Sequence, residues 1–450
     1  MQIKLYRSAT VCIISGDLKV LVDPWLTDGE YFGSWSHFPY FDLDKKIEEI
    51  NSYDLIYISH IHPDHCSKKT LEKINKNIPV YIHKFHEKFL KFNLERLGFK
   101  VIELEHGKRT KIKNNFHINI FAADNCDPTL CYKFSGCANL ESLNGSQQID
   151  SLSVIDDGKT VILNTNDAPF ELAKSNFNKI LKEYGKIDAL LTGYCGAGPY
   201  PQCIENLDLK QKIYEGQKKS DYFLNQAFQF INHIKPKYYM PFAGTYYLSS
   251  HLSNLHSLRG VPTIDQAYKK IGDLISQNKN LKTMPIKINL EDEFDLTLGE
   301  SKSVYQMLDE NKTNEYISNV LSKKKLEYEN DEQCKFDEIY ELSKRALERY
   351  LQRKLINNVK TKTNIILDVG DNMIKIDNIK NQLSVINLKD IKKQEQFVKY
   401  KVNINLLKKL LMGPKYAHWN NAEIGSHIKF FRNPNIFERK IYDSMCYFHC

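Results

Sequence analysis

A cluster of histidine and aspartate side chains follows an apolar run near the start of the chain. The run at 54–58 leads directly into Ser-His-Ile-His-Pro-Asp-His at 59–65. Neutral imidazole nitrogens and carboxylate oxygens are ligands for zinc and iron. Alternate side chains of an extended segment share a face, so we expect His60 and His62 to bind one ion and Asp64 and His65 to reach a second. The alternative is a histidine-rich polar turn that binds no ion.

The segments that must position this cluster alternate between strands and helices. Short apolar runs predict strands at 3–6, 10–14, 20–22, 54–58, 80–83, 116–121, 152–155, 160–164 and 237–241. The sequence Asp-Asp-Gly-Lys at 156–159 predicts a hairpin turn, and 211–234 has the period of a long amphipathic helix that Gly216 could interrupt. This order predicts a layered α/β architecture.

The chain length and a shift in composition indicate more than one domain. At 450 residues the chain exceeds what a single hydrophobic core normally supports. Near residue 290 the sequence becomes more highly charged and helical in period. We predict a metal-binding α/β domain at 1–290, a charged helical connector at 291–362 and a small α+β domain at 363–450.

Composition narrows the classes of partner and of cellular location. The 63 lysines and arginines exceed the 55 aspartates and glutamates by a net charge of +8, spread without long blocks of one sign. This charge is compatible with an anionic small-molecule substrate and does not indicate a nucleic-acid partner. No apolar run approaches the roughly 18 residues of a membrane span, and the N-terminus lacks the pattern of a signal peptide. The ten cysteines are irregularly spaced and are interpreted as free thiols, so we expect a cytoplasmic protein; a structural metal at Cys126, Cys131 and Cys137 is a minor alternative.

The histidine motif, the strand-end Asp23 and the later Asp167 together resemble the metallo-β-lactamase superfamily. The resemblance implies an αββα sandwich with the helical connector and small α+β domain after it. It also implies that His60 and His62 bind the first ion, that Asp64 and His65 bind the second, and that Asp167 bridges both. Asp23 would accept hydrogen bonds from the histidine loop and orient it. Asp167 could instead cap a helix before Ala-Pro at 168–169.

Two departures from that family pattern bear on the metal. Members usually offer a further histidine after a strand such as 118–121, where this chain has Asp124 as the candidate substitute. They also offer a late histidine where this chain has Phe-Ala-Gly at 242–244. We therefore expect one or two divalent ions, with zinc, iron and manganese all compatible with the donors.

A closer resemblance is to the non-Rieske part of CMP-N-acetylneuraminate hydroxylases. It rests on Asp-Pro-Trp-Leu-Thr at 23–27, Ile-Leu-Asn-Thr-Asn-Asp at 162–167, Gly-Ala-Gly-Pro-Tyr-Pro at 196–201 and Met-Pro-Phe-Ala-Gly at 240–244. A Rieske centre needs two Cys-His pairs, and no Cys-x-His occurs in this sequence. The prediction is therefore a metal-dependent hydrolase on an anionic phosphate- or nucleotide-sugar-type substrate. The alternatives are an iron oxygenase supplied by an external reductase and a non-catalytic binding protein.

Catalytic and substrate-binding roles are predicted for a small set of residues. Asp64 and Asp167 are the expected catalytic carboxylates. Aromatic side chains in the loops at 25–40 and 193–203 could stack on a base or sugar, and His251 follows the strand at 237–241. The predicted substrate contacts are therefore Trp25, Tyr194, Tyr200 and His251. Local packing for the aromatic residues and a structural role for His251 are the alternatives.

Overall fold

The computed structural model describes residues 1–122, 150–370, 372–392 and 394–450. The strands are β1 (Gln2–Arg7), β2 (Thr10–Ser15), β3 (Leu18–Val22), β4 (Trp35–Ser36), β5 (Leu55–Tyr57), β6 (Val80–His83), β7 (Val101–Leu104), β8 (Thr110–Lys113), β9 (Phe116–Ala122), β10 (Ser151–Asp156), β11 (Val161–Asn164), β12 (Ala189–Gly193), β13 (Tyr238–Phe242), β14 (Tyr247–Leu248), β15 (Met284–Pro285), β16 (Glu293–Asp295), β17 (Glu300–Ser301), β18 (Asn364–Asp368), β19 (Met373–Asp377), β20 (Gln382–Ile386), β21 (Phe397–Lys401) and β22 (Lys429–Asn433).

The α-helices are α1 (Glu30–Gly33), α2 (Leu43–Asn51), α3 (Lys68–Lys73), α4 (Phe89–Arg96), α5 (Phe170–Tyr184), α6 (Leu209–Ile234), α7 (Ile264–Ser276), α8 (Glu310–Asn319), α9 (Phe336–Ile356), α10 (Ile404–Leu411), α11 (Trp419–Ile424) and α12 (Arg439–Met445). Short 3-10 helices cover Ser250–Leu258, Leu321–Lys323, Glu327–Asn330 and Leu388–Asp390. Among the helices that are described, none has both the length and the apolar character needed to cross a bilayer.

Two mixed sheets form the centre of the larger part of the molecule. The first has the order β17-β16-β1-β2-β3-β5-β6-β7, and the second has the order β15-β13-β12-β11-β10-β9-β8. Valine, isoleucine and leucine side chains of both sheets share one buried cluster, including Val11, Val20, Ile118 and Leu191. Such β-branched and apolar residues favour pleated, buried strands. The two sheets therefore pack face to face around a common core.

Helices cover the outer face of each sheet. A cluster that includes Leu71 and Leu94 of α3 and α4 packs on the first sheet. A second cluster, which includes Phe177 of α5 and Phe230 of α6, packs on the second sheet. The order of layers is helix, sheet, sheet, helix, so the predicted αββα sandwich is confirmed.

The long helix α6 begins with two side chains that satisfy its free backbone groups. The Asp208 carboxylate accepts a hydrogen bond from the Gln211 N–H (2.8 Å), and the Gln211 side chain accepts one from the Asp208 N–H (2.9 Å). This reciprocal pair is a capping box, which stabilises a helix N-terminus. Gly216 does not interrupt α6; it packs against Gly260, where a Cβ would lie 2.4 Å from the Gly216 carbonyl oxygen, so it is Gly260 that permits the close packing.

The segment after residue 290 first adds two strands, β16 and β17, to the first sheet. Residues Gln2 to Lys4 of β1 pair with β16, which in turn pairs with β17. The connector that follows contains α8 and α9, and a five-stranded sheet with the order β20-β19-β18-β21-β22 lies in the C-terminal part. The domain division at 290 and 362 stays a prediction, although β16 and β17 belong to the first sheet by their hydrogen bonds.

Candidate metal centre

Strand ends from both sheets meet at one edge of the sandwich, and the histidine motif lies there. In the first sheet the parallel strands β3 and β5 end at this edge, followed by Asp23 and by the loop that carries the histidines. In the second sheet β11 ends and β10 begins at the same edge, since Ser153 is the register partner of Asn164. The Ser151 hydroxyl donates to the Ser59 carbonyl (2.8 Å) and joins the two sheets.

Three of the predicted ligands converge in one group. His60, His65 and Asp167 each offer one ligand atom, and these atoms lie within 4.8 Å of one another. Asp167 Oδ2 lies 3.5 Å from His65 Nε2 and 3.7 Å from His60 Nε2. Both imidazoles are fully buried, whereas 37% of the Asp167 side chain is exposed. The group is therefore closed on the protein side and open on the side of Asp167.

A second group of the same composition shares one histidine with the first. His60, His62 and Asp150 also offer ligand atoms within 4.8 Å of one another. His60 Nε2 lies 3.0 Å from His62 Nδ1 and 3.8 Å from Asp150 Oδ1. Asp150 was not singled out from the sequence. The only signal for it in the sequence is an acidic residue directly before the apolar strand β10. Asp124, the predicted substitute for the family's histidine after the strand at 118–121, lies outside the described residues.

Asp23 and Ser59 hold the two buried imidazoles of the first group by their Nδ1 atoms. The Asp23 carboxylate is fully buried and accepts hydrogen bonds from the Ser59 N–H (2.7 Å), the Ser59 hydroxyl (2.8 Å) and His65 Nδ1 (2.9 Å). Because the Ser59 hydroxyl donates to Asp23, its oxygen accepts from His60 Nδ1, 2.9 Å away. Protons on both Nδ1 atoms leave the Nε2 lone pairs free, as a metal ligand requires.

The unsatisfied atoms at the centre agree with an ion. His65 Nε2 is buried and has no hydrogen-bond partner among the described residues. A buried polar atom without a partner is costly unless something else satisfies it. An imidazole nitrogen beside carboxylate oxygens suits a divalent cation, so these residues fit the metal that the motif implies.

The charges of the cluster are arranged as a metal site requires. Burial, together with the neighbouring His65 and His62, holds the pKa of His60 well below its usual value and keeps it neutral. Burial alone would lower the pKa of His65, but the Asp167, Asp64 and Asp23 carboxylates raise it well above its usual value. Without an ion the cluster is therefore stabilised by a proton on His65, which an incoming cation would replace.

Asp64 lies beside both groups without belonging to either. Its Oδ2 is 3.7 Å from His65 Nε2, and its Oδ1 accepts a hydrogen bond from the Tyr31 hydroxyl. The Tyr31 contact restrains the carboxylate and leaves one oxygen directed at His65. Asp64 is thus placed to contact an ion or its water through Oδ2, and its role as a ligand stays a prediction.

The four predicted substrate residues lie in different environments. The Trp25 side chain is fully buried, and its Nε1 donates to the Thr27 carbonyl (2.8 Å). The Tyr200 hydroxyl donates to Glu215, and the His251 side chain is 61% exposed, 3.5 Å from Glu329. Tyr194 lines a cavity of about 500 Å³ at the same edge, but none of the residues of the two metal groups lines it. The geometry does not bring these four side chains together.

Comparisons with known proteins agree with this architecture. Residues 2–168 match the model of the beta-lactamase superfamily domain. The cytidine monophosphate-N-acetylneuraminic acid hydroxylase of Asterias rubens is 27% identical over 276 residues, which cover 58% of this chain and 37% of that protein. A Mycobacterium tuberculosis protein named for a Rieske 2Fe-2S centre is 27% identical over 231 residues, covering 50% of this chain and 40% of that protein.

These relatives extend well beyond the shared region, since the chain spans less than half of the length of either. The solved structure of CmlA, a diiron beta-hydroxylase from Streptomyces venezuelae, is 17% identical with a TM-score of 0.38, covering 63% of this chain and 52% of that one. The family match of the N-terminal part and the order of layers confirm the resemblance found in the sequence. Residues 2–168 match the beta-lactamase superfamily domain, and the described residues have the helix–sheet–sheet–helix layers that the resemblance to the metallo-β-lactamase superfamily implies.

Proposed function

We propose that this chain is a metal-dependent hydrolase that acts on an anionic substrate of the phosphate or nucleotide-sugar type. The observation that supports the proposal most is the convergence of His60, His65 and Asp167 around the unsatisfied Nε2 of His65. His62 and Asp150 extend the centre on the other side of His60. The Nε2 atom of His65 faces the Asp167 and Asp64 carboxylates at 3.5 and 3.7 Å without a hydrogen bond, an arrangement that suits a cation between them.

The donors determine which metals the centre would hold. Imidazole nitrogen and carboxylate oxygen suit zinc, iron and manganese, and no thiolate belongs to either group of described ligands. His60, His65 and Asp167 would hold one ion, and His62 and Asp150 would hold an ion on the other side of His60. A bound divalent ion supplies Lewis acidity, which makes water nucleophilic near neutral pH and stabilises negative charge on a substrate.

The carboxylates of the chain itself have separate tasks in this proposal. Asp167 is the most exposed member of the first group, so a substrate would approach from its side. Asp64, held by Tyr31 through one oxygen, orients the attacking water with the other. Asp23 contacts neither water nor substrate and acts by keeping His65 in the required tautomer.

An iron oxygenase is the second candidate, and the donor types of the centre favour it. Each of the two groups contains two histidines and one carboxylate, the combination found in non-haem iron oxygenases. The relatives named as hydroxylases agree with this alternative. For an oxygenase of this kind, we propose an external reductase as the electron donor.

Metal analysis of the full chain, purified without chelator, tests the proposal. We expect bound zinc, iron or manganese, and a lower content in His62→Ala, because His62 belongs to one of the two groups. His86→Ala is the matched control, since that side chain is 57% exposed and far from both groups in sequence. Equal metal content in His62→Ala and the parent would contradict the ligand assignment.

Turnover then separates the two candidate functions. A hydrolase should cleave a simple phosphodiester such as bis-p-nitrophenyl phosphate, or a CMP-linked sugar, without consuming oxygen. An oxygenase should contain iron after anaerobic purification and consume oxygen only with an added reductant. Bound metal with neither activity on a panel of such substrates would favour the binding-protein alternative.

A further inference from the structure

Two cationic side chains next to the candidate metal centre have no carboxylate partner. Arg259 is 4% exposed, and Lys219, on α6, is half-buried. Within the described part of the chain, neither forms an ion pair. The contacts of Arg259 are all neutral: the His256 carbonyl (2.8 Å), the Tyr246 carbonyl (2.8 Å), His256 Nε2 (3.0 Å) and the ring of Tyr246 (4.3 Å to the centroid). The single hydrogen bond of the Lys219 ammonium goes to the Tyr200 carbonyl (2.9 Å).

A contact between two glycines brings the cations together. Gly260 follows Arg259 directly, and a Cβ placed on it would lie 2.4 Å from the carbonyl oxygen of Gly216. Lys219 lies one helical turn after Gly216 and therefore faces the segment that carries Arg259. Burial, with a smaller effect from the positive charge of Arg259, lowers the pKa of Lys219 to about 8.

Ring contacts link Arg259 to the metal centre. Its guanidinium lies over Tyr246, which stacks on Trp35 with ring centroids 3.5 Å apart. Trp35 in turn lies beside Tyr31 (4.5 Å between centroids), whose hydroxyl donates to Asp64.

Burial raises the pKa of Cys195 to about 12, and four charged side chains act on it besides. Lys219 and Arg259 lower that pKa, whereas Asp167 and Asp64 raise it. These opposite influences on one thiol agree with the ring contacts that place Arg259 near Asp64.

The buried Arg259 guanidinium, with the half-buried Lys219 ammonium on the adjoining helix, is unfavourable without a counter-charge. A buried guanidinium normally has a carboxylate partner, because neutral acceptors do not compensate fully for the loss of water. The adjacent Lys218 is different: it is 58% exposed and lies 3.1 Å from Glu215. Arrangements of this kind fit an anion that binds from solution, with the planar guanidinium and the ammonium as its two donors.

We propose that Lys219 and Arg259 form a subsite that binds the phosphate group of the substrate next to the metal centre. The inference rests on the proposed function for the identity of the substrate, but the subsite itself can be measured without turnover. In the proposed subsite the charged group of the substrate binds between the two cations, and the reacting bond of the substrate faces Asp167.

Calorimetric titration with inorganic phosphate tests the subsite on the full chain. We expect one phosphate per chain in the parent protein. Lys219→Met keeps the length of the side chain but removes its charge, and should weaken the affinity about tenfold or more, the usual effect of losing a charge-assisted hydrogen bond. Lys218→Met, the matched control on the same helix, should bind within about twofold of the parent. Arg259→Lys should weaken binding while circular dichroism shows the folded state.

The His62→Ala variant separates this subsite from phosphate bound at a metal. We expect it to retain phosphate binding although its metal content falls. Loss of phosphate binding in His62→Ala, unchanged affinity in Lys219→Met, or no binding by the parent would each overturn the proposal. Phosphate binding that depends on Lys219 in a protein without hydrolytic activity would support the subsite and contradict the proposed function, so the two failures are distinguishable.

Discussion

Replacing Asp23 by asparagine should weaken metal binding although Asp23 belongs to neither ligand group. The buried carboxylate accepts three hydrogen bonds, one of them from His65 Nδ1 at 2.9 Å. In Asp23→Asn, one oxygen can still accept from the Ser59 N–H. The other position becomes an NH₂ group, which cannot accept from His65 Nδ1–H. His65 would then favour the tautomer with its proton on Nε2, where the lone pair for the metal must be.

The replaced oxygen also accepts from the Ser59 hydroxyl, so two hydrogen bonds are lost, and the effect on metal affinity follows from the one with His65. A hydrogen bond to a charged group contributes about 1.5–3 kcal/mol, which corresponds to roughly 10–100-fold in affinity for the metal. The affinity is measured by competition with a chromophoric chelator, and thermal unfolding of the metal-free protein measures any separate loss of stability. The matched control is Asp188→Asn. Asp188 directly precedes β12, at the sheet edge opposite the metal centre, and its carboxylate accepts a hydrogen bond from the Val161 N–H (2.9 Å).

A result within about twofold of the parent affinity for Asp23→Asn would refute this reasoning. It would show that the orientation of His65 does not depend on the charge or on the acceptor at Asp23. A similar loss in Asp188→Asn would attribute the effect to general destabilisation. The expected pattern is a loss of affinity in Asp23→Asn alone.

Three further changes test the site and its support. Asp167→Ala should abolish turnover in whichever assay the parent is active, and retained activity would exclude its central role. Burial and the nearby Asp443 raise the pKa of Glu423 to about 8, so its stabilising contribution is complete below about pH 4.5 and is lost as the pH rises toward 8. Urea unfolding should therefore show up to about 3 kcal/mol less stability at pH 7 than at pH 4.5 through this group, and Glu423→Gln should remove that difference. Trp35→Ala should cost about 3–5 kcal/mol in unfolding free energy, because the buried ring stacks on Tyr246 at 3.5 Å; a cost below about 1 kcal/mol would contradict this.

The parts of the site that were predictable are those encoded locally. His60, His62 and His65 lie within one short loop after an apolar strand, so their proximity follows from sequence spacing. Asp167 was found through the resemblance to the metallo-β-lactamase superfamily, which implies an aspartate after this strand. The alternation of strands and helices predicted a layered α/β architecture, and the same resemblance implied the αββα order of the layers.

The parts that were missed depend on pairing between distant segments. Asp150 reaches His60 only because β10 pairs with β9 and β11, and no local motif marks that residue. The return of β16 to β1 joins segments almost 300 residues apart, and such pairing leaves little trace in local composition. Trp25 was expected over a pocket because of its aromatic loop, yet the same aromatic character lets it pack beside Trp35, with ring centroids 5.9 Å apart.

The position of His60 in both groups has a consequence for stoichiometry. The atom that faces Asp150 and the atom that faces Asp167 are the same Nε2, and one nitrogen lone pair can coordinate only one cation at a time. Two ions could not both be saturated by this set of side chains. Titration with zinc or manganese should therefore show one tight equivalent, followed by a much weaker second one that must compete with the first for that ring.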